Sequence, residues 1–259
     1  MHDLSVENLA KQAKEAALIL ANVSTELKNK VLSLIADEID GNRSMIMEEN
    51  QKDVQAATEE KLPNAMIKRL KLDGPKIDEM VRGVRSVIRL EDPVGKTLFC
   101  TEMDAGLELY KVVCPIGVIG AIFESRPDAL VQISSLCLKS GNAVILKGGS
   151  EAANTNRLLA ELIQKALLNT GLPEKAVQLI ETREDVKEIL KLESRIDLLV
   201  PRGSGSLVRY MRENTKIPVL GHSEGICHEY VDADADIDMA VEICYDAKVQ
   251  YPAVCNAME

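Results

Sequence analysis

The chain has 259 residues, a formal net charge of −10, 46% hydrophobic and 28% charged residues. That length holds one large or two ordinary domains with real cores. The acidic balance excludes a general nucleic-acid binder, which needs surplus Lys and Arg against phosphate, but leaves room for a local cationic pocket. Aromatic residues make up 3% and tryptophan is absent, so the core is aliphatic and suits a parallel sheet covered by helices better than a β-sandwich.

Residues 3–90 read as mostly helix. Leu9, Ala13, Ala16 and Leu20 recur at helical spacing, as do Leu27, Val31, Leu34 and Ile39, with Gly41 placed to end that helix. Ile77, Met80, Val84, Val87 and Ile88 form the cleanest apolar face, started by Asp73 and Pro75. No catalytic cluster stands out here, and the expected role of this half is to pack against something larger. Thr97–Met103 and Leu107–Val113 flank Asp104-Ala-Gly106 and read as a β-hairpin, a candidate for pairing between subunits.

From Ile116 onward strands and helices alternate. Strands are expected at Ile116–Phe123, Ala143–Leu146, Ala176–Ile180, Asp197–Val200, Ile217–Leu220 and Ile226–Val231. Helices are expected at Asp128–Lys139, at Glu151–Asn169 with Ser150 as its cap, and at Asp185–Leu192, Leu207–Asn214 and Asp238–Val249. This is the pattern of βαβ units and a doubly wound parallel sheet, whose ligands bind beyond the carboxyl ends of the strands. Glu124–Asp128, Lys147–Ser150 and Pro201–Ser206 occupy those positions. Asp232, Asp234, Asp236 and Asp238 mimic the start of a calcium loop, but Ile237 and Ile243 replace its glycine and closing glutamate, so a solvated helix-initiating turn is expected.

The six cysteines include no C-x-x-C pair and several lie in apolar runs, which is the usage of a reducing cytosol; a cytoplasmic location is expected. Met1–Ala16 carries Lys, Glu and Asp rather than an apolar signal core. The most apolar run, Val112–Phe123, is interrupted by Pro115, Gly117 and Gly120 and is too short to span a bilayer, so no membrane partner is expected.

Several stretches could carry chemistry. Gly203-Ser-Gly-Ser206 before a helix can offer backbone N–H groups to a phosphate, although Val208 stands where a full G-x-G-x-x-G needs glycine; an ordinary strand-to-helix turn explains it as well. Lys147-Gly148-Gly-Ser150 also follows a strand, and the lysine either reaches a ribose hydroxyl or phosphate or merely snorkels at the surface. Ser150 in place of an acidic residue would not repel a 2′-phosphate, which favours NADP over NAD. Gly95-Lys-Thr97 is not a Walker motif, because Leu90 occupies the first glycine position. His222, Cys227 and His228 have no structural zinc spacing, so no metal is expected. Pro252 breaks the helix arriving from Val249, leaving Cys255 on an irregular shoulder before Asn256, which can cap a following helix. Taken alone, Cys255 is either a small buried apolar residue or a reachable thiolate nucleophile.

Five ordered stretches together carry a resemblance: Pro115–Pro127 (PIGVIGAIFESRP), Leu146–Ala152 (LKGGSEA), Pro201–Ser206 (PRGSGS), Gly221–Asp232 (GHSEGICHEYVD) and Pro252–Ala257 (PAVCNA). They resemble the γ-glutamyl phosphate reductases, the proline-biosynthesis branch of the aldehyde dehydrogenase superfamily, over essentially the whole chain. The resemblance implies an NADP-binding domain over residues 1–232, with its N-terminal helices, the protruding hairpin at about 97–113 and a Rossmann-like core at 115–232. The start of a catalytic domain follows at 233–259. It implies that Cys255 is the nucleophile, that Lys147, Gly148 and Ser150 face the adenosine ribose, and that Arg202, Gly203, Ser204, Gly205 and Ser206 lie at the cofactor's pyrophosphate. The general base of aldehyde-oxidising relatives falls on His222, and their oxyanion-binding asparagine falls on Ser125, with Arg126 beside it. The implied reaction is NADPH-dependent reduction of L-γ-glutamyl 5-phosphate to L-glutamate 5-semialdehyde and phosphate through a cysteine thioester. The implied partners are a second copy of the chain, through the hairpin, and a glutamate 5-kinase that hands over the acyl phosphate. An acyl phosphate is already activated and water would destroy the thioester, so a site without a carboxylate base suits a reductase.

Members of that branch continue well past the nucleophile, so a fragment or truncated gene model is expected rather than a complete small enzyme. The competing readings are an aldehyde-oxidising dehydrogenase of the same superfamily, a non-catalytic nucleotide-binding or oligomerisation module, and a structural scaffold.

Overall fold

Five helices come first: α1 Val6–Leu20, α2 Thr25–Gly41, α3 Arg43–Glu59, α4 Asn64–Leu70 and α5 Gly74–Arg89. The computed structural model describes residues 5–203, 205–221, 226–250 and 257–258. Caps set where these helices begin: Ser5, Ser24 and Asp73 accept from the backbone N–H groups of Asn8, Leu27 and Lys76. The expected apolar faces are the ones that bury, with Ala13, Leu20, Val31, Ile39, Ile77 and Met80 all inside. Helix α3 behaves differently. It buries Asn50 and Asp53 beside Ile46 and Ala57, and it docks through polar contacts.

Strands β1 Thr97–Asp104 and β2 Leu107–Val112 form an antiparallel hairpin that pairs only with itself among the described residues. Nearly every residue on it is exposed, including Leu98, Phe99, Leu107 and Leu109.

The remainder winds a parallel sheet of β3 Val118–Phe123, β4 Ala143–Lys147, β5 Val177–Ile180 and β6 Leu198–Arg202, in the order β5-β4-β3-β6. All six residues of β3 are buried, as a parallel strand covered on both faces requires. Helices α6 Pro127–Lys139 and α7 Ala153–Asn169 pack on the side that also carries α2 and α5. Helices α1 and α8 (Arg183–Ile189) pack against each other elsewhere on the sheet, with α1 also reaching β4 and β5. The chain moves outward from β3 to β5 and then returns to lay β6 on the other side of β3. The reversal point of the sheet is therefore between β3 and β6.

Ion pairs lock the frame. Lys14 on α1 holds Asp197 through both carboxylate oxygens at 2.6 Å, and Asp197 in turn accepts from the Val118 N–H at 2.8 Å, fixing the entry of β3 beside that of β6. Lys28 and Asp92 are paired at 2.9 Å with both side chains nearly excluded from water.

Several sequence expectations change at element ends. Helix α7 begins at Ala153 after a single 3-10 turn at Ser150–Ala152, and Ser150 makes no capping bond. Its cap comes from α3: Asp53 accepts from the backbone N–H groups of Asn154 and Thr155, at 3.2 and 2.8 Å. Helix α8 starts at Arg183, two residues early, because Thr182 and Asp185 form a reciprocal capping box. Helix α9 runs Gly205–Glu213, starting earlier than Leu207. Among the described residues the expected strand at Ile217–Leu220 is reduced to a single bridge, Leu199 with Val219, beside Pro218, which has no N–H for a ladder. The expected strand at Ile226–Val231 is likewise reduced to Cys227 bridging Met258. Helix α10, Ile237–Val249, is capped by Asp236, which bears out the helix-initiating reading of that acidic turn.

Candidate functional site

The parallel register brings four loop starts to one edge of the sheet. Ile122 is level with Lys147, Lys147 with Ile180, and Phe123 with Arg202. The segments beginning at Glu124, Gly148, Glu181 and Gly203 therefore share the carboxyl end of the sheet, where doubly wound folds hold their ligands.

At the reversal point, Glu124 reaches across to the loop after β6. A Cβ on Gly203 would meet the Glu124 carboxylate and Leu207 at 3.0 Å, so the two loops approach closely there and a larger residue would push these side chains aside. Gly205 opens α9, and Arg202 and Ser206 are exposed on the same rim.

Ser125 follows Glu124 with a φ of 44°, in the left-handed region. It is buried, and both its backbone N–H and its hydroxyl donate to Oε1 of Glu151 at 2.7 Å. A serine hydroxyl has one proton, and here Glu151 takes it. The neighbouring Arg126 is exposed at the N-terminus of α6, where its carbonyl accepts from the Ala129 N–H, and its guanidinium has no hydrogen bond or ion pair among the described residues. Its guanidinium carries five donors.

The loop after β4 contributes Lys147, half-buried and without an ion-pair partner among the described residues, and Ser150, which is exposed. The two glycines between them are required by packing. A Cβ on Gly148 would fall 2.2 Å from Nδ2 of Asn156, and one on Gly149 would fall 2.0 Å from Oε1 of Glu151. Gly148 itself is buried, so its part in any ligand site is to let Asn156 and Phe123 close over the loop.

A cavity of about 240 Å³ opens between the loops after β4 and β5, lined by Gly149, Ser150, Asn156, Arg157, Glu181 and Thr182 among others. Asn156 is 2% exposed and its Oδ1 accepts no hydrogen bond. Arg157 grips Glu181 on the rim, Nε to Oε1 at 2.5 Å and Nη2 to Oε2 at 2.6 Å. The structure thus brings Lys147, Gly148 and Ser150 to one end of the sheet edge, and Ser125, Arg202, Gly203, Gly205 and Ser206 to the reversal point. Cys255, His222 and Ser204 lie outside the described residues.

Sequence reasoning missed Glu151, Asn156, Arg157 and Glu181. The last three fall on no motif, and only Glu151 sat inside a quoted stretch. No group of three or more His, Cys, Asp or Glu residues able to hold a metal occurs among the described residues. No helix there is long and apolar enough to cross a membrane.

A parallel sheet with this strand order, a protruding hairpin and glycine loops at the carboxyl edge is the architecture of nucleotide-dependent dehydrogenases of one large class. The aldehyde dehydrogenase family model matches residues 2–258, and the chain belongs to that family. Within it the chain is 58% identical over 256 residues to the γ-glutamyl phosphate reductase of Pelotomaculum thermopropionicum, covering 99% of this chain and 59% of that protein. It is 56% identical, with the same coverage, to the γ-glutamyl phosphate reductase of Acetivibrio thermocellus. The chain therefore spans about 59% of the length of these curated relatives. Among solved structures, γ-glutamyl phosphate reductase from Thermotoga maritima superposes with a TM-score of 0.95 at 40% identity, covering 98% of this chain and 62% of the other. The enzyme of that name from Saccharomyces cerevisiae superposes at 0.80 with 45% identity, covering 100% and 65%. The aldehyde dehydrogenase-like α/β architecture expected from the sequence is borne out.

Proposed function

We propose that the protein reduces L-γ-glutamyl 5-phosphate to L-glutamate 5-semialdehyde with release of phosphate, drawing on NADPH, as the second step of proline biosynthesis from glutamate. The observation that carries this reading is the likeness, above 50% identity along nearly all of the chain, to proteins named γ-glutamyl phosphate reductase. Bare family membership would leave aldehyde oxidation equally open.

The cavity fits the adenosine part of a dinucleotide. It is lined by Gly148, Gly149, Ser150, Asn156 and Arg157, and Lys147, which has no ion-pair partner among the described residues, immediately precedes Gly148. In this reading Lys147, Gly148 and Ser150 hold the adenosine ribose, and Arg202 and Gly203–Ser206 hold the pyrophosphate. NADPH, when bound, supplies the reducing equivalent.

The chain's own residues carry the acyl group. The thiolate of Cys255 attacks the acyl carbon and phosphate leaves, forming a thioester on the sulfur. The reduced thiohemiacetal then collapses, returning the thiolate and releasing the aldehyde. Ser125, its proton held by Glu151, fixes the turn after β3. Arg126 beside it offers donors to the anionic substrate or to the oxygen that gains charge. His222 stands where water-using relatives keep a carboxylate base, and its proposed part is to meet the departing phosphate or move a proton.

Residues 1–232 are read as the nucleotide-binding domain and 233–259 as the opening of the catalytic domain. Exposed Ile237, Met239, Val241, Ile243 and Tyr245 on α10 support that division, because the helix buries none of its residues against the rest. The exposed apolar side chains of the hairpin support its role in pairing subunits. A cytoplasmic location and hand-over from a glutamate 5-kinase belong to the same reading.

The test is a coupled assay in which glutamate kinase and ATP generate the acyl phosphate in place and NADPH consumption is followed with the full-length gene product. Wild-type turnover is expected and C255S is expected to abolish it. NADPH oxidation by C255S at the wild-type rate would remove the thiol from the mechanism. Aldehyde-dependent NAD(P)H formation without phosphate would favour the oxidising alternative.

A further inference from the structure

We propose that Arg157, steered by Glu181, reads the 2′-phosphate of the adenosine ribose, so that this pair sets the preference for NADPH over NADH. The inference rests on the reading above that the cavity takes a dinucleotide.

The argument starts from a carboxylate in an awkward place. Doubly wound dehydrogenases that use NAD place an acidic side chain at a strand end to accept from the ribose 2′-hydroxyl, and the same carboxylate repels a 2′-phosphate. Glu181 is such a residue, one position beyond β5 and on the cavity wall. Both of its oxygens, however, are taken by Arg157 in a two-point fork at 2.5 and 2.6 Å. The fork neutralises the carboxylate and leaves it less able to accept a hydroxyl.

Stability does not explain the pair. Its side chains are 51% and 40% exposed, and ion pairs in such settings contribute roughly 0–1 kcal/mol. The geometry does explain binding. Two of the five guanidinium N–H groups are used on Glu181, which leaves three for a ligand, and the fork holds the planar group in one orientation against the cavity. In the 3-10 turn that precedes α7, Ser150 lines the same cavity and presents a hydroxyl where an acid would repel phosphate. Next to Arg157, Asn156 lines the same cavity, and its buried Oδ1 has no donor. A guanidinium and a neutral hydroxyl around one cavity fit a phosphorylated nucleoside better than a plain one.

Calorimetric titration of the chain with NADPH, NADH, adenosine 2′,5′-bisphosphate and 5′-AMP tests this without any turnover. Wild type is expected to bind NADPH and the bisphosphate more tightly than NADH and AMP. R157A is expected to weaken NADPH and bisphosphate binding roughly 10- to 100-fold, the range for hydrogen bonds to a charged group, while NADH and AMP change less than about twofold. R157K keeps the charge without the fork and is expected to fall between. E181Q removes one arm of the fork as well as a negative charge beside the phosphate, two opposed effects, and is expected to change NADPH binding less than R157A does. Equal loss of all four ligands in R157A, or no loss of any, overturns the assignment of Arg157 while leaving the dinucleotide reading intact. A loss of NADPH binding in E181Q larger than that in R157A overturns it as well, since Glu181 rather than Arg157 would then be the contact. Wild type that binds none of the four sinks the dinucleotide reading and the inference with it. Circular dichroism melts of each variant show that the fold is retained.

Discussion

Ser125 and Glu151 are joined by two hydrogen bonds to a single carboxylate oxygen, each 2.7 Å, across the mouths of two neighbouring strands. The Ser125 backbone sits at a φ of 44°, a region that costs a non-glycine residue about 1–3 kcal/mol, and it persists because Glu151 over-determines it. The same carboxylate lies over Gly149, leaving no room for a side chain there. One acidic residue thus organises the turn after β3 and the loop after β4.

Removing that carboxylate strands a buried amide. E151A is expected to cost about 2–4 kcal/mol in urea unfolding, the sum of a lost charge-assisted bond and an unsatisfied N–H. E151Q keeps an acceptor and is expected to cost about half as much or less. S125A, which loses only the hydroxyl bond, is expected to lie near 1–2 kcal/mol. If E151A unfolds at the wild-type midpoint, the clamp has no energetic weight.

Asp53 caps a helix that is not its own. Besides the two α7 backbone donors it accepts from Oγ1 of Thr155 at 2.6 Å and from Nδ2 of Asn154 at 2.9 Å. D53A is expected to destabilise the chain by about 2–4 kcal/mol, more than a surface cap, because four donors lose one partner in a buried setting. D53N keeps an acceptor oxygen but meets these donors with an amide, and is expected to recover part of that loss. Amide hydrogen exchange localises the effect. Asn154 and Thr155 are expected to exchange faster in D53A while the β3 amides keep their protection.

Acid should loosen the link between α2 and the hairpin. Burial by itself pushes the Asp92 carboxyl up, but hydrogen bonds from Lys28, the Val94 N–H and Thr25 outweigh it and hold its pKa below the ordinary value. A group with a depressed folded pKa contributes stability above its unfolded value, about 3.9 for Asp, and loses it as pH falls through the folded value. The stability advantage of wild type over D92N is therefore expected to be full above about pH 5 and to vanish in stronger acid, as read from urea midpoints along a pH series. K28M, which leaves the part-buried carboxylate only the Val94 N–H and the Thr25 hydroxyl, is expected to cost about 1–3 kcal/mol at neutral pH.

Thiol labelling should divide the cysteines by burial. Burial pushes the Cys137 thiol up to about 12, so it is expected to stay unmodified by iodoacetamide in the folded chain. Cys100 on the hairpin and Cys114 after it are exposed and are expected to label readily. Mass spectrometry of peptides after a short pulse reads the order directly, and labelling of Cys137 as fast as Cys100 would contradict the packing of α6.

Much of the site was legible because its loops follow strands that announce themselves. The buried runs ending at Phe123 and Leu146 place Glu124–Asp128 and Lys147–Ser150 at the carboxyl edge from sequence alone. The role of Ser125 was not legible. Its hydroxyl looks available in the sequence, and only its approach to Glu151 shows that the proton is already committed. Ser150 failed as a cap for a related reason: a better acceptor, the Asp53 carboxylate, arrives from another helix and α7 starts where that carboxylate can reach. The strand expected at Ile217–Leu220 reads as apolar and β-branched, yet Pro218 cannot donate to a ladder, and pairing there is confined to one bridge.

What the sequence by itself determined is the architecture: alternating apolar strands and amphipathic helices, glycine at each tight loop, and five ordered stretches that place the chain in its family. Those features depend on steric and burial preferences repeated every two or 3.6 residues, which operate along the chain. Tertiary structure decided which carboxylates are in use. Glu151 meets Ser125 from 26 residues away, Glu181 meets Arg157 from 24, and Asp53 meets Asn154 from 101. A carboxylate's partner is set by distance in space, and no periodicity in the chain encodes that distance.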